Sequence, residues 1–323
     1  MKPPVFVASW APDDVLADLR ASFDVEHVDI HETGLLPRDE FAARLAGKAG
    51  LLVLLARVDA DMMAANAGTL KVVANCAVGT DNIDVAAATA NGILVTNTPG
   101  VLTESVADMA MGMVIAVGRR LTEADRYTRA GKFQGLNFPL FWGAEISGAT
   151  VGIVGFGRIG QAFARRAQGF GMKILYHSRN RVDAAIEREL GAEWRPLDDL
   201  LREARFTVLL TPLTDETHHL IDARRLALMR EDGYLVNMSR GPVVHEQALV
   251  DALREKRIAG AALDVYEFEP KLTEGLADFE NVALTPHIAS GSVETRHGMV
   301  RLAAANLKAA LTSPPAPNPV NEV

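Results

Sequence analysis

The stretch "TVGIVGFGRIG", residues 150–160, constrains the fold more than any other. A buried, β-branched run ends in G-x-G-x-x-G at Gly155, Gly157 and Gly160, and "RIGQAFARRAQGFG" continues it with the apolar spacing of an amphipathic helix. Three glycines alone would be only a tight turn. Between a strand and a helix they read as a dinucleotide-binding turn, with Arg158 and Ile159 inside it. The glycines let the backbone turn sharply and approach a pyrophosphate, and the helix N-terminus offers free N–H groups and a positive dipole end.

The second strand of such a unit, "MKILYHS", ends about 20 residues beyond the glycines, where an acid ordinarily accepts hydrogen bonds from the 2′-hydroxyl of NAD. Here Ser178 and Arg179 stand instead. Ser178 removes a repulsion and can donate a hydrogen bond. Arg179 can hold a 2′-phosphate through paired charge-assisted bonds, with Arg158 and Arg181 near enough in sequence to assist. The expected cofactor is NADP(H), preferred over NAD(H).

Strand and helix signals alternate through the first hundred residues and again after residue 150, which predicts an α/β protein with two doubly wound parallel sheets. The expected partition inserts a dinucleotide-binding domain, residues 99–289, into a substrate domain built from 1–98 and 290–323. The run 103–133 reads as one long connecting helix starting near Thr103, and "SVETRHGMVRLAAANLKAAL" as a final helix. The proline-rich "TSPPAPNPVNEV" reads as an extended or loosely attached tail.

With 323 residues, a net charge of -8 and a single cysteine, the composition argues against nucleic-acid or anionic-membrane binding and against a disulfide framework. No apolar run is long enough for a signal peptide or a span, so a soluble, cytoplasmic protein is expected. Cys76 reads as a small buried hydrophobe. His218 and His219 are adjacent, lack metal-ligand spacing and read as surface or capping residues; no metal site is expected.

Three charged residues follow strand signals: Arg240 in "VNMSRGPVV", Glu269 in "ALDVYEFEP" and His287 in "LTPHIASGS". Singly, each reads as a loop residue. In a doubly wound sheet the C-terminal strand ends face the ligand crevice, so three such residues there suit hydride chemistry. Histidine can supply the proton that a reduced ketone needs, a carboxylate beside it favours the imidazolium, and arginine can bind a carboxylate and polarise the keto oxygen.

These motifs, with "GTDNIDVAAATANGILVTNTPG", "NMSRGPVVHEQAL" and "TPHIASGSVETR", resemble the D-2-hydroxyacid dehydrogenase family in order along most of the chain, and within it the NADPH-dependent glyoxylate/hydroxypyruvate reductases. The resemblance implies a Rossmann domain inserted in a flavodoxin-like substrate domain, and a homodimer. It implies that His287 is the acid/base, Glu269 its partner and Arg240 the substrate-orienting arginine. By the same resemblance Asp264 meets the nicotinamide carboxamide, Thr103 and Thr211 contact the cofactor, and the N–H groups of Val78 and Gly79 hold the substrate carboxylate. Asp108 stands where the family commonly has glutamate and is read as structural. "NFPLFWGAE" carries Phe141 and Trp142, which either cross a dimer interface into the partner's substrate pocket or form interface core.

The implied reaction is reduction of a small 2-ketoacid, glyoxylate or hydroxypyruvate, to a D-2-hydroxyacid. 2-Ketogluconate or another larger 2-ketoacid remains an alternative substrate, and a dinucleotide-sensing corepressor-like interaction protein an alternative of another class. Formate dehydrogenases of the family carry glutamine at the position of Glu269, which disfavours that reading. The absence of an added regulatory domain and of a basic cluster for a substrate phosphate disfavours phosphoglycerate dehydrogenase.

Overall fold

A computed structural model describes residues 1–312 and 315–323. The chain divides into two compact units, residues 1–102 with 291–323, and residues 103–290. In the first unit the strands β1 (Pro4–Ala8), β2 (Asp24–Val28), β3 (Gly50–Val53), β4 (Val72–Asn75) and β5 (Leu94–Thr96) form one sheet in the order β2-β1-β3-β4-β5. Every pairing is parallel. This is the flavodoxin-like order. β3 and β4 are buried along their whole length, which explains the apolar runs "GLLV" and, before the buried Asn75, "VVA".

The second unit holds β6 (Thr150–Val154), β7 (Lys173–His177), β8 (Ala192–Trp194), β9 (Phe206–Leu209), β10 (Tyr234–Asn237), β11 (Gly260–Leu263) and β12 (Val282–Leu284). Their order is β12-β11-β10-β9-β6-β7-β8, again with parallel pairing throughout. Counted within the unit this is the Rossmann order 3-2-1-4-5-6 with one further strand beyond the sixth. The switch in winding falls between β6 and β9, beside the glycine turn that ends β6. Both sheets therefore match the expected doubly wound fold class.

Two expectations need correction. The run 103–133 is not one helix: it forms Thr103–Gly118 and Leu121–Arg129. The ladder stops because the Gly118 carbonyl accepts the Ala144 N–H at 2.7 Å instead of a helical one. Arg120 then enters the left-handed region at φ 55°, held by two 2.7 Å bonds to Glu123. Asp108, on the first of these helices, pairs with Arg166 at 2.6 Å.

The final segment is not loosely attached either. Residues 313 and 314 lie outside the described residues, but 318–321 dock along β5. The Val320 N–H reaches Val95 O at 2.8 Å, and the Asn321 side chain accepts from Val95 N at 2.7 Å and donates to Ile93 O at 3.0 Å. The proline-rich composition hid this because an edge strand needs only alternate N–H groups from its neighbour. Cys76 is buried, and burial pushes its thiol up to about 12.

Candidate active site

The glycine turn is built as its spacing requires. Gly155 has φ 97°, and a Cβ there would lie 2.6 Å from the backbone of Leu210 and Thr211. A Cβ on Gly160 would run into the Gly155 carbonyl, whereas one on Gly157 would meet nothing within 4 Å. The first and third glycines thus let the strand, the helix and the neighbouring Thr211 loop approach one another. The second leaves the mouth of the turn open. Gly157 caps the helix Arg158–Gly169 with no side-chain oxygen over its N–H groups. An open turn against an uncapped helix end fits a pyrophosphate. Arg158 is exposed and Ile159 half-buried at this end.

Beyond β7, Ser178 donates to Asn180 O at 2.6 Å, which shapes the loop, and Arg179 is exposed. Arg181 is committed elsewhere: two bonds of 2.7 and 2.8 Å tie it to Glu187. That pairing, with the Tyr176 hydroxyl, holds the Glu187 carboxyl at about 2. Arg181 is therefore a strut of this loop, contrary to the expectation that it assists Arg179. A nearby acid also bears on Arg179. The Thr214 hydroxyl and its own N–H hold Glu216 below the usual carboxylate range, and the Arg179 charge acts on it in the same direction.

The charged trio lies within the second unit, each member in the loop after a different strand: Arg240 after β10, Glu269 after β11, His287 after β12. His287 Nδ1 meets Glu269 Oε2 at 3.0 Å, and Glu269 Oε1 accepts the Tyr266 N–H at 2.9 Å. Burial disfavours the charged carboxylate, but the His287 and Tyr266 hydrogen bonds and the charges of His287 and Arg240 outweigh it, so Glu269 stays below its ordinary value. His287 sits at φ 52°. Its N–H donates to Asp264 O at 2.9 Å, and Asp264 fastens the rest of the loop, accepting from Thr285 Oγ1 (2.6 Å), Ile288 N (2.8 Å) and Ala289 N (2.8 Å). Asp264 is fully buried. The resemblance assigns it to the nicotinamide; the hydrogen bonds give it the further task of posing His287.

Arg240 is set by Asn237, whose side chain accepts from Ser239 N and Oγ and donates to Arg240 O at 3.0 Å. Gly241 follows because a Cβ there would collide with the Tyr266 backbone. The turn is then stapled to the Glu269 loop by two glutamates. Glu246 N donates to Glu267 Oε2 at 2.9 Å and Glu267 N to Glu246 Oε1 at 2.7 Å. Thr273 Oγ1 closes on Glu246 and His219 Nε2 on Glu267, at 2.7 and 2.6 Å. Glu246 is buried, and burial above all pushes its carboxyl up. These residues escaped sequence reading. The acids in "VHEQAL" and "DVYEFEP" were the available signal, but nothing in either motif shows that each binds the other's backbone. His219 is not merely a surface or capping residue, since it holds Glu267.

In the first unit, Val78 and Gly79 form a half-buried loop after β4. Thr103 opens its helix and Thr211 borders the Gly155 turn. Trp142 is 67% exposed, its indole N–H donating to Phe138 O at 2.6 Å, among the exposed Phe133, Leu136 and Phe138. Phe141 instead packs edge-on against Tyr127. Among the described residues no group of three or more His, Cys, Asp or Glu side chains is arranged to hold a metal, and no helix is long and apolar enough to cross a membrane.

Residues 111–289 match the family described as D-isomer specific 2-hydroxyacid dehydrogenase, NAD binding domain. The chain is 48% identical over 313 residues to a glyoxylate reductase of Thermococcus onnurineus, spanning 95% of this chain and 92% of that protein. A glyoxylate reductase of Pyrococcus furiosus is 46% identical over 312 residues, with the same coverage. The crystal structure of an NADPH-dependent glyoxylate/hydroxypyruvate reductase from Sinorhizobium meliloti, in complex with NADP and malonate, is similar with a TM-score of 0.87. That pair is 37% identical, over 99% of this chain and 97% of the other.

Proposed function

Because the chain belongs to the D-isomer specific 2-hydroxyacid dehydrogenase family, we propose that it reduces small 2-ketoacids, glyoxylate and hydroxypyruvate, to D-2-hydroxyacids with NADPH. The observation that carries the reading is the His287–Glu269 pair at 3.0 Å beside the charge of Arg240. When bound, the nicotinamide supplies a hydride to the keto carbon. Negative charge then grows on the keto oxygen. With Nδ1 engaged by Glu269, His287 has Nε2 to deliver a proton to that oxygen, and the Glu269 carboxylate stabilises the imidazolium until it does. Arg240 holds the substrate carboxylate and polarises the carbonyl. By the family resemblance, the N–H groups of Val78 and Gly79 would hold a substrate carboxylate.

In this reading the unit of residues 103–290 is the cofactor domain and the other the substrate domain. Gly155, Gly157, Arg158, Ile159 and Gly160 hold the pyrophosphate, Thr103, Thr211 and Asp264 contact the cofactor, and Ser178 and Arg179 take the 2′-phosphate. The preference for NADPH rests on the missing acid after β7 and on Arg179. A homodimer is supported by the exposed Phe133, Leu136, Phe138 and Trp142, apolar side chains that a second copy would cover. Among these, Trp142 would either shape a partner's substrate pocket or pack as interface core. A cytoplasmic setting suits the one buried thiol. The test is kcat/KM for glyoxylate, hydroxypyruvate and 2-ketogluconate with each cofactor. The expected result is highest efficiency with glyoxylate or hydroxypyruvate and NADPH; binding of NADPH without turnover of any 2-ketoacid would favour the corepressor-like alternative.

A further inference from the structure

Three consecutive carbonyls at residues 77–79 are each clamped from outside the loop. Ala77 O accepts the Thr98 N–H at 2.9 Å, Val78 O the Asn97 side-chain amide at 2.8 Å, and Gly79 O the Asn75 side-chain amide at 2.7 Å. In a trans peptide the N–H points opposite to the C=O. Holding these carbonyls therefore aims the N–H groups of Val78, Gly79 and Thr80. Among the described residues those three N–H groups donate no hydrogen bond. A carbonyl that accepts a bond also polarises its peptide and makes the attached N–H a better donor.

Asn97, which holds the middle peptide, is itself held by two asparagines far along the chain. Its carbonyl accepts the Asn306 side-chain amide at 2.9 Å, and its N–H donates to Asn318 O at 3.3 Å. The Asn318 amide closes the circuit on Asn306 Oδ1 at 3.0 Å. Asn306 is fully buried in the final helix, and Asn318 lies in the docked final segment.

We infer that Asn318, Asn306 and Asn97 are positioning residues that let the final segment of the chain orient the peptide N–H groups receiving the substrate carboxylate. This rests on the reading that Val78 and Gly79 hold that carboxylate. Without the relay the loop must be ordered by the substrate itself, and that cost appears as weaker binding. The carboxylate is held alike in the ground and transition states, so KM rises while kcat holds.

The experiment compares Asn97→Asp, Asn318→Ala and, as control, Asn321→Ala, which removes an anchor of the same segment to β5 outside the relay. Each variant is assayed with glyoxylate and NADPH. Each NADPH complex is also followed by hydrogen exchange of the peptide covering 76–80, with and without oxalate. Wild type should turn over glyoxylate and show oxalate protection of these N–H groups. Asn97→Asp should raise KM about tenfold and Asn318→Ala about threefold, each with kcat within about twofold, NADPH affinity unchanged and oxalate protection weakened. Asn321→Ala should match wild type. Wild-type and relay variants equal in KM and in protection would overturn the relay while leaving the carboxylate loop standing; so would a KM in Asn321→Ala as high as in Asn318→Ala. A wild type without oxalate protection at 76–80, or without glyoxylate turnover, would instead remove the underlying reading. Asn318→Ala alters a half-buried residue outside the helix, so it keeps the test available should Asn97→Asp not fold.

Discussion

Two backbone loops in this molecule are proposed to receive an anion, and they are ordered in opposite ways. At residues 155–160 the order is local. A left-handed glycine, an open glycine and a glycine under a carbonyl sit within one turn, and the following helix lends its free end. At residues 77–79 the order is remote. Each carbonyl is held by a different residue, and the chain of support runs to Asn306 and Asn318, more than 200 positions away. A locally ordered loop writes itself into a short motif, because each residue solves a problem posed by its neighbours. A remotely ordered loop leaves no motif, because an asparagine that holds a carbonyl reads the same as one on the surface. The two should also break differently: local sites through single large losses, remote ones in graded steps.

The largest expected loss is at His287. His287→Ala should lower kcat for 2-ketoacid reduction by roughly 10²–10⁴-fold and leave NADPH binding nearly intact, since the glycine turn is untouched. The check is kcat beside a fluorescence titration with NADPH; an equal loss in both would show that the substitution disturbs the whole unit. Glu269→Gln refines this. A neutral amide does not stabilise the imidazolium, so the decline of reduction rate with rising pH should begin at lower pH than in wild type. In wild type the Glu269 carboxyl lies below its ordinary 4.5, so the carboxylate that His287 meets persists as pH falls to that value. Its stabilising contribution is present above about pH 4.5 and is lost only as pH falls further. Superimposable pH–rate profiles would dissolve the dyad.

Next comes Arg179. Arg179→Ala should raise KM for NADPH by about ten- to a hundredfold, the worth of charge-assisted bonds to a phosphate at about 1.5–3 kcal/mol, with NADH little changed. The proximity of Glu216 sharpens the expectation. Without the arginine, the Glu216 carboxylate would lose a neighbouring positive charge and would oppose a 2′-phosphate bound there. Parallel changes with both cofactors, or a wild type that prefers NADH, would reassign Arg179 to the solvated loop.

What was legible divides along the same line. β/α alternation and predominantly apolar strands exposed both sheets, because parallel strands buried on two faces leave such runs. The structure pairs His287 with Glu269, and both stand after strand ends as sequence order suggested. The break at Arg119–Arg120 was illegible, since the carbonyl that ends the ladder is taken by Ala144, a residue beyond the second helix. The docking of 318–321 was illegible because its partners, Ile93 and Val95, belong to an ordinary edge strand. Asp264 was recognised through family resemblance, yet its hold on Thr285, Ile288 and Ala289 depends on two loops meeting.

The smallest predicted effect tests whether the charged trio is as local as the glycine turn. Arg240 and Glu269 belong to different loops, and Glu246 and Glu267 join them by exchanging backbone N–H bonds for carboxylate oxygens. Glu267→Gln keeps the size of the side chain and one acceptor oxygen. It loses the charge that His219 meets at 2.6 Å and weakens the bond from Glu246 N. The Glu267 side chain is only 10% exposed, so solvent replaces little of what is lost. Bonds to a charged acceptor contribute about 1.5–3 kcal/mol, and the thermal midpoint should fall accordingly. The effect on turnover should be smaller. Misplacement of a catalytic group by about 1 Å costs about a hundredfold, and a staple with one half intact permits less movement, so kcat/KM should drop by less than about tenfold. NADPH affinity should stay constant, because no part of the staple touches the glycine turn. The decisive comparison is Glu267→Gln alone and combined with Arg240→Lys. If the staple serves by posing Arg240 against Glu269, the two losses overlap and the double variant is less impaired than their product. Strictly multiplicative losses would mean that Glu267 supports the fold without posing Arg240, and the trio would then be as local as the glycine turn.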